Sequence, residues 1–284
     1  MAGSFVLSAI FCNFARTKDC MMKKLTIFLI LLFSFLVVGN ADAARKNRRR
    51  TKARTHRVVK KRKRIPVHHP TIHENPFLQC EDTCTHIHGI DLSHYQGEVF
   101  WETVGQNTRT SYVYLKATEG GDRVDARYEE NIGLAHRYGL KVGSYHFFRP
   151  RTDLISQLDN FMAQCLPGEQ DLIPMLDVES TGGLDTEEFC DSLLKFLEMM
   201  TMAYHQKPLV YTGRNFYNKH LVGVLDDYQL MVAMYTDEEP VLADERDICL
   251  WQYTGHGTIN GVRGHVDKSR FMGDHNLSDL RFRH

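Results

Sequence analysis

The sequence predicts an α/β barrel, because three features of the chain agree on it. From His86 onward, short apolar runs of strand length alternate with helix-like segments, which is the pattern of repeated β/α units. Eight such runs occur, the number that closes a TIM-like barrel. After the sixth run the connections shorten and become rich in glycine, which indicates hairpins rather than helices. We therefore expect a barrel that is regular at first and built only of strands at its end.

The individual elements follow from local patterns of apolar residues. The predicted strands are Ile87–Asp91, Tyr112–Thr118, Val142–Phe147, Leu172–Val178, Leu209–Thr212, Leu230–Tyr235, Ile248–Tyr253 and His265–Asp267. The predicted helices are Trp101–Gln106, Ala126–Tyr138, Asp153–Cys165, Thr186–His205 and Phe216–Val224. Asp185 is the expected N-cap of the longest helix, and Glu188 three residues later fits a capping box.

The charges of the chain are divided unevenly along its 284 residues, although the formal net charge is zero. Residues 45–64 hold 13 Lys or Arg and no acid, whereas residues 65–284 hold 18 basic and 33 acidic residues. The basic arm, residues 45–64, has no apolar periodicity and repels itself, so it should be disordered. We expect it either to contact anionic envelope polymers or lipid headgroups, or to act as a solvated tether; nucleic acid is not expected.

The amino-terminal region is typical of an exported protein. Lys23 and Lys24 precede an apolar run over 25–38, and a small-x-small cleavage signature follows at 41–43. Fourteen residues are short for a membrane span, although an uncleaved anchor is the alternative. We therefore predict a signal peptide region over residues 1–43 and export to the periplasm, the cell envelope or the exterior.

Three consecutive regions are predicted from these patterns. Met21 or Met22 is a natural start for the signal, so residues 1–20 are expected to be an over-extension of the reading frame. Residues 44–85 form a basic linker that contains Pro and His, and residues 86–284 form a single catalytic domain. A monomer is the default expectation.

The cysteines favour disulfides or free thiols over a metal site. Export places the chain in a compartment that permits disulfides. The Cys80-x3-Cys84 spacing, with His86 and His88, is only loosely similar to a zinc site. Neither a metal nor a cofactor is predicted. Five cysteines follow the signal region: Cys80, Cys84, Cys165, Cys190 and Cys249.

A pair of acids follows the fourth predicted strand. Asp177 and Glu179 are two residues apart, so on a strand both carboxylates face one space. When two acids are held together, one has a raised pKa and keeps its proton while the other stays ionised. Glycosidases use such a pair of carboxyl groups. The alternative is a strand end that enters a solvated loop.

Other polar residues recur at the carboxyl ends of the predicted strands, where barrel enzymes place their chemistry. Aromatic residues accompany these acids, and acid with aromatic side chains is typical of a sugar-binding groove; for Phe148 and Tyr253, core packing is the better interpretation. The polar set is Asp91, Glu119, His146, Asp177 with Glu179, Tyr211, Tyr235, Gln252 and Asp267, and the aromatic set is Tyr95, Tyr145, Phe148, Trp251 and Tyr253.

Seven segments in consistent order resemble glycoside hydrolase family 25, the Chalaropsis-type lysozymes. They are GIDLSHYQG at Gly89, YLKATEGG at Tyr114, GSYHFFRP at Gly143, LDVES at Leu176, LVYTGRNFY at Leu209, LWQYTGHG at Leu250 and HVDKSRFMG at His265. The resemblance implies a modified TIM-like (β/α)5(β)3 barrel and N-acetylmuramidase activity on peptidoglycan.

The resemblance also implies roles for individual residues. Glu179 matches the general acid and Asp177 its partner carboxylate, while Asp91 and Asp267 match two further active-site acids. Positions expected to bind substrate are Tyr145, His146, Tyr211, Trp251, Glu119 and Tyr95.

The reaction route and two rival functions stay open. Same-face strand neighbours lie about 6.5–7 Å apart, which does not separate retaining from inverting geometries. Assistance by the 2-acetamido group of the substrate is the favoured route. The rival functions are a chitinase-like glycosidase and a non-catalytic glycan-binding protein.

Overall fold

A computed structural model describes residues 87–284 of the chain. The predicted signal region 1–43, the linker 44–85 with its basic arm, and Cys80, Cys84 and His86 lie outside the described residues. Within residues 87–284, no helix is long and apolar enough to cross a membrane.

Eight strands close into a mixed barrel, as the sequence predicts. Neighbours around the barrel are β1, β9, β8, β7, β6, β5, β4 and β2, and pairing of β1 with β2 closes the ring. A two-residue strand, β3, pairs only with the end of β2. The strands are β1 His88–Leu92, β2 Thr110–Glu119, β3 Arg123–Val124, β4 Lys141–Phe147, β5 Met175–Asp177, β6 Leu209–Gly213, β7 Leu230–Ala233, β8 Leu250–Gly257 and β9 Val266–Phe271.

The helices lie close to their predicted positions. Asp185 caps the longest helix, because its Oδ1 accepts a hydrogen bond from the backbone N–H of Glu188 at 2.9 Å. The last helix ends four residues before its predicted end, and two 3-10 turns, His94–Gln96 and Pro167–Glu169, were not predicted. The helices are α1 Trp101–Gly105, α2 Tyr128–Arg137, α3 Leu154–Gln164, α4 Thr186–Tyr204 and α5 Arg214–His220.

The β-only end of the barrel differs in detail from the prediction. The segment 234–249 that joins β7 to β8 contains no helix, yet the two strands are parallel and do not form a hairpin. Among the eight strands that close the barrel, only β9 is reversed, and it pairs antiparallel with both β8 and β1. Asp267 therefore reaches the top of the barrel from the start of its strand, whereas we expected it at a strand end.

Strand β5 is shorter than predicted, because the chain changes its hydrogen-bond partners before Met175. The N–H of Leu172 bonds to Val142 O at 3.0 Å, and that of Ile173 bonds to Leu280 O at 2.8 Å. Pro174 has no N–H to offer a neighbouring strand. The predicted run Leu172–Val178 is buried along its length, but only Met175–Asp177 form a strand.

Large tyrosines fill the lower barrel and leave a pocket above them. On β2, Tyr112, Tyr114 and Lys116 are two residues apart and share the inward face. Glycines on the neighbouring strands make room for the rings: a Cβ on Gly89 would lie 1.9 Å from the ring of Tyr112, and one on Gly143 would lie 2.3 Å from that of Tyr114. The next inward position, Lys116, lines the pocket.

Candidate active site

A pocket of about 220 Å³ opens at the face where the parallel strands end. Its lining includes four acids that were singled out in the sequence, Asp91, Asp177, Glu179 and Asp267. They come from β1, the end of β5 and the start of β9, so strands distant in the chain converge on one space.

Asp177 and Glu179 reach the pocket from the same strand end. The sheet continues to hold this segment, because Phe148 N–H bonds to Asp177 O at 3.0 Å and Val178 N–H bonds to Tyr211 O at 2.9 Å. Asp177 is buried, and its Oδ1 has no hydrogen-bond partner among the described residues. Glu179 is exposed at the mouth of the pocket. The pair thus offers one enclosed and one accessible carboxyl group.

Asp91 and Asp267 face each other across two adjacent strands, where they are paired in the antiparallel register of β1 and β9. Asp91 Oδ2 accepts a hydrogen bond from Gln252 Nε2 at 2.8 Å. The hydroxyls of Tyr211 and Tyr235 donate to Gln252 Oε1 at 2.9 and 2.7 Å. A relay of two tyrosines and one amide therefore fixes the orientation of the Asp91 carboxyl group.

The pKa values of these four acids are all raised. Burial, and then the charge of Asp267, raises the pKa of Asp91 to about 8, although the hydrogen bond from Gln252 opposes the shift. Burial and the charge of Glu179 hold the pKa of Asp177 well above its usual value. Partial burial and the charge of Asp267 raise the pKa of Glu179, and burial raises that of Asp267.

The tyrosines expected in the groove do line the pocket: Tyr95, Tyr145 and Tyr211. Tyr95 is 80% exposed and stands on the 3-10 turn at the rim. That turn is anchored by its neighbour His94, whose Nδ1 lies 2.7 Å from Asp125 Oδ2. An exposed ring on an anchored turn is suited to contact a ligand that extends beyond the pocket.

Glu119 does not line the pocket, contrary to the prediction. Its carboxylate is bound by Lys116 Nζ at 2.8 Å, by Arg123 Nη1 at 2.9 Å and by Arg149. Burial alone would raise the pKa of Glu119, but the hydrogen bonds and charges of Lys116 and Arg149 outweigh it and lower the pKa to about 2. The Glu119 side chain therefore forms ion pairs with these three cations and does not line the pocket.

His146 and Trp251 also lie outside the pocket, because each stands next to an inward residue and alternation along the strand turns it outward. His146 is fully buried between barrel and helices, with Nδ1 2.7 Å from Thr118 Oγ1 and Nε2 3.2 Å from Gln157 Oε1. Burial lowers its pKa to about 4. Trp251 is buried and donates its Nε1–H to Met234 O at 2.8 Å.

Seven of the lining residues were not assigned to the site from the sequence, and two of them, Lys116 and Gln252, act directly on the acids. Lys116 lowers the pKa of both Asp177 and Glu179 by its charge. Its position two residues after Tyr114 on an inward face was the available signal. Gln252 stood among the polar strand ends, but only the relay to Asp91 reveals its function.

Residues 87–284 include three cysteines, but they do not include Cys80, Cys84 or His86. Within residues 87–284, no group of three or more His, Cys, Asp or Glu side chains is placed to hold a metal ion. In the same part of the chain, Cys165, Cys190 and Cys249 are free thiols.

Comparisons with known proteins identify relatives of this barrel. A sequence model of the family described as "Glycosyl hydrolases family 25" matches residues 90–262. The chain is 32% identical over 191 residues to the uncharacterized protein YegX of Escherichia coli K12, a match that covers 66% of this chain and 70% of YegX. It is 31% identical over 183 residues to the autolytic lysozyme of Clostridium acetobutylicum, covering 64% of this chain and 55% of that protein.

The solved structure of a bacterial lysozyme from Streptomyces coelicolor has a similar fold. It superimposes with a TM-score of 0.63 at 28% sequence identity, and the match covers 70% of this chain and 96% of that one.

Proposed function

The chain belongs to glycosyl hydrolases family 25, and from this premise we propose that it is a lysozyme. As an N-acetylmuramidase it would hydrolyse the β-1,4 linkage between N-acetylmuramic acid and N-acetylglucosamine in bacterial peptidoglycan. The observation that carries this proposal is the convergence of four acids and three tyrosines on one pocket at the top of the barrel. Relatives named as lysozymes support the substrate class.

Glu179 acts in this proposal as the general acid. A glycosidase acid must keep its proton near neutral pH and must reach the glycosidic oxygen. The raised pKa of Glu179 supports the first requirement, and its exposed position at the mouth supports the second. The proton passes from the carboxyl group to the leaving oxygen as the bond to C1 breaks.

Asp177 orients the substrate's own nucleophile. The 2-acetamido oxygen attacks C1 while the C1–O bond breaks, and Asp177 holds the acetamido N–H and stabilises the positive charge that develops. Water then opens the cyclic intermediate and returns a proton to Glu179. The enclosed Asp177 Oδ1 supports this role, because it has no protein partner within residues 87–284. The route predicts retention, so initial release of the α-anomer, detected by NMR, would exclude it.

The remaining pocket residues bind the substrate and shift the pKa values of the neighbouring acids. Asp91 and Asp267 hold substrate, the charge of Asp267 raises the pKa of Asp91 and of Glu179, and Tyr95, Tyr145 and Tyr211 contact the sugar rings. Neither the chitinase-like nor the non-catalytic alternative is favoured, since relatives are named as lysozymes and glycan binding alone does not require four converging acids.

We also propose how the protein reaches its substrate. Residues 1–43 direct export, and the basic arm holds the enzyme near anionic envelope polymers or lipid headgroups. The enzyme acts as a monomer.

Digestion of purified peptidoglycan tests the proposal. Reduced products are analysed by mass spectrometry for the wild type, for Glu179→Gln and for Glu198→Gln, a matched change at an exposed position on α4. We expect muropeptides with reducing-end N-acetylmuramic acid from the wild type and from Glu198→Gln, and almost none from Glu179→Gln. Reducing-end N-acetylglucosamine would move the cut to the other linkage, and full activity of Glu179→Gln would refute the assignment of the acid.

A further inference from the structure

A cluster of cations borders the pocket, and the reaction above does not use it. We define the cationic edge as Lys116, Arg123 and Arg149, which all contact the carboxylate of Glu119. Three positive charges therefore surround one negative charge. The cluster stays positive even when Asp122, the exposed acid next to Arg123, is counted.

Phe147 joins the cationic edge to the pocket. Its ring lines the pocket, and Lys116 Nζ and the Arg149 guanidinium each lie 4.9 Å from the ring centroid. Lys116 lines the same pocket and acts by its charge on Asp177 and Glu179. The positive charge is thus continuous with the site of cleavage.

The arginines are held in place but remain open to solvent. Strand β3 places Arg123 opposite Glu119, and Asn160 Nδ2 donates to the backbone oxygens of Gly120 and Arg123 at 2.9 and 3.1 Å. The side chains of Arg123 and Arg149 are 71% and 49% exposed. Each guanidinium has five N–H donors, more than one shared carboxylate can use, so the edge has capacity for a second carboxylate.

The charge of the rest of the barrel makes this edge distinctive. Residues 87–284 hold 18 basic and 30 acidic residues, so the domain as a whole repels an anionic polymer. A local cluster of cations beside the pocket is therefore where a negatively charged substituent of the glycan can be held, and electrostatic complementarity of this kind gives specificity.

We propose that the cationic edge binds carboxylates carried by muramic acid, either the lactyl carboxylate itself or those of the attached peptide. Arg123 and Arg149 determine this specificity, which separates muramic-acid glycans from uncharged N-acetylglucosamine chains. The inference rests on the proposed lysozyme function, but it concerns binding and can be tested without turnover.

Binding is measured with the full-length chain carrying Glu179→Gln, so that glycans are not consumed. Three glycans are compared by calorimetry: strands with their peptides, the same strands after amidase treatment, which leaves only lactyl carboxylates, and the treated strands with those carboxyls chemically amidated. Arg123→Gln removes one cation of the edge. The matched control is Arg137→Gln, an exposed arginine in the last turn of α2 that belongs to a different surface.

Arg123→Gln should raise the Kd about twofold to fivefold for carboxylate-bearing glycans, the size of an exposed ion pair. It should leave the Kd of the amidated glycan unchanged, and Arg137→Gln should have no effect on any glycan. A rise for the peptide-bearing strands alone assigns the edge to peptide carboxylates, because the lactyl carboxyl is bonded to the peptide as an amide in those strands. A rise for the amidase-treated strands alone assigns it to the free lactyl carboxylate, and a rise for both shows that the edge accepts either carboxylate. Arg123→Glu should give a larger rise, and salt should weaken both effects.

The inference would be overturned if Arg123→Gln left the Kd of every glycan unchanged. It would also be overturned if Arg123→Gln raised the Kd of all three glycans equally, the amidated one included, because this would indicate a general disturbance of the pocket through Glu119. Failure of the lysozyme proposal has a different signature. Wild-type protein would then release no muropeptides from peptidoglycan, whereas the dependence of Kd on Arg123 would be unaffected.

Discussion

Replacing Asp91 with asparagine should stabilise the folded protein at neutral pH. The pKa of this carboxyl group is about 8 in the folded protein, against a usual value of 3.8. The folded state therefore keeps a proton that the unfolded chain releases above about pH 4. For an acid whose folded pKa is raised, the contribution to stability is complete below the unfolded pKa and is lost as pH rises toward the folded pKa.

The size of the effect follows from these two pKa values. At pH 7 the difference between pH and the unfolded pKa corresponds to at most about 4 kcal/mol, at about 1.4 kcal/mol per pH unit. Structural relaxation and water entry reduce such shifts, so we expect about 2 kcal/mol. Asparagine has the same shape, can accept from Gln252 and carries no charge, so Asp91→Asn should avoid this loss.

Urea denaturation of the wild type and Asp91→Asn between pH 4 and pH 7 measures the effect. The advantage of the variant in free energy of unfolding should grow with pH. Glu119→Gln is the matched control of opposite sign, because the pKa of Glu119 is lowered to about 2. Its contribution is present above the unfolded pKa and is lost as pH falls, so Glu119→Gln should be destabilising at pH 7 by about 1–2 kcal/mol and less so at pH 4. A difference between wild type and Asp91→Asn that stays constant with pH would refute the reasoning.

Three further predictions concern the relay, the barrel interior and the outward face. Gln252→Leu should lower kcat about tenfold or more with little change in fold, as measured by steady-state kinetics and circular dichroism, because Asp91 loses its hydrogen-bond donor. Gly89→Ala should lower the free energy of unfolding by about 2 kcal/mol or more in urea titrations, because its Cβ would overlap the ring of Tyr112. His146→Leu should lower the free energy of unfolding by about 1–3 kcal/mol but leave KM unchanged, because His146 makes its hydrogen bonds outside the pocket. A severalfold rise in KM without loss of stability would indicate instead that His146 binds substrate.

Much of the architecture could be predicted from the sequence because it depends on local patterns. The eight strands are marked by apolar runs, and the cap at Asp185 is marked by its spacing to Glu188. The glycine-rich connection predicts a hairpin, and β8 and β9 do pair antiparallel across it. The pairing of Asp267 with Asp91 on β1 is instead long-range, and no local pattern specifies it. For the same reason β5 shortens where Ile173 finds its partner at Leu280, far along the chain.

The candidate site could also be predicted only where it depends on local pattern. The two-residue period of a strand places Asp177 and Glu179 together whatever the rest of the fold does, and this part of the site could be predicted. The same period makes Tyr145 and His146 face opposite ways, but the sequence alone does not say which faces inward, since both are polar aromatic residues before a strand end. The inward face is fixed by Gly143, whose missing side chain admits the ring of Tyr114 and so defines the interior. Register against a bulky neighbour, and not chemistry, therefore decides which of two adjacent residues becomes part of the site.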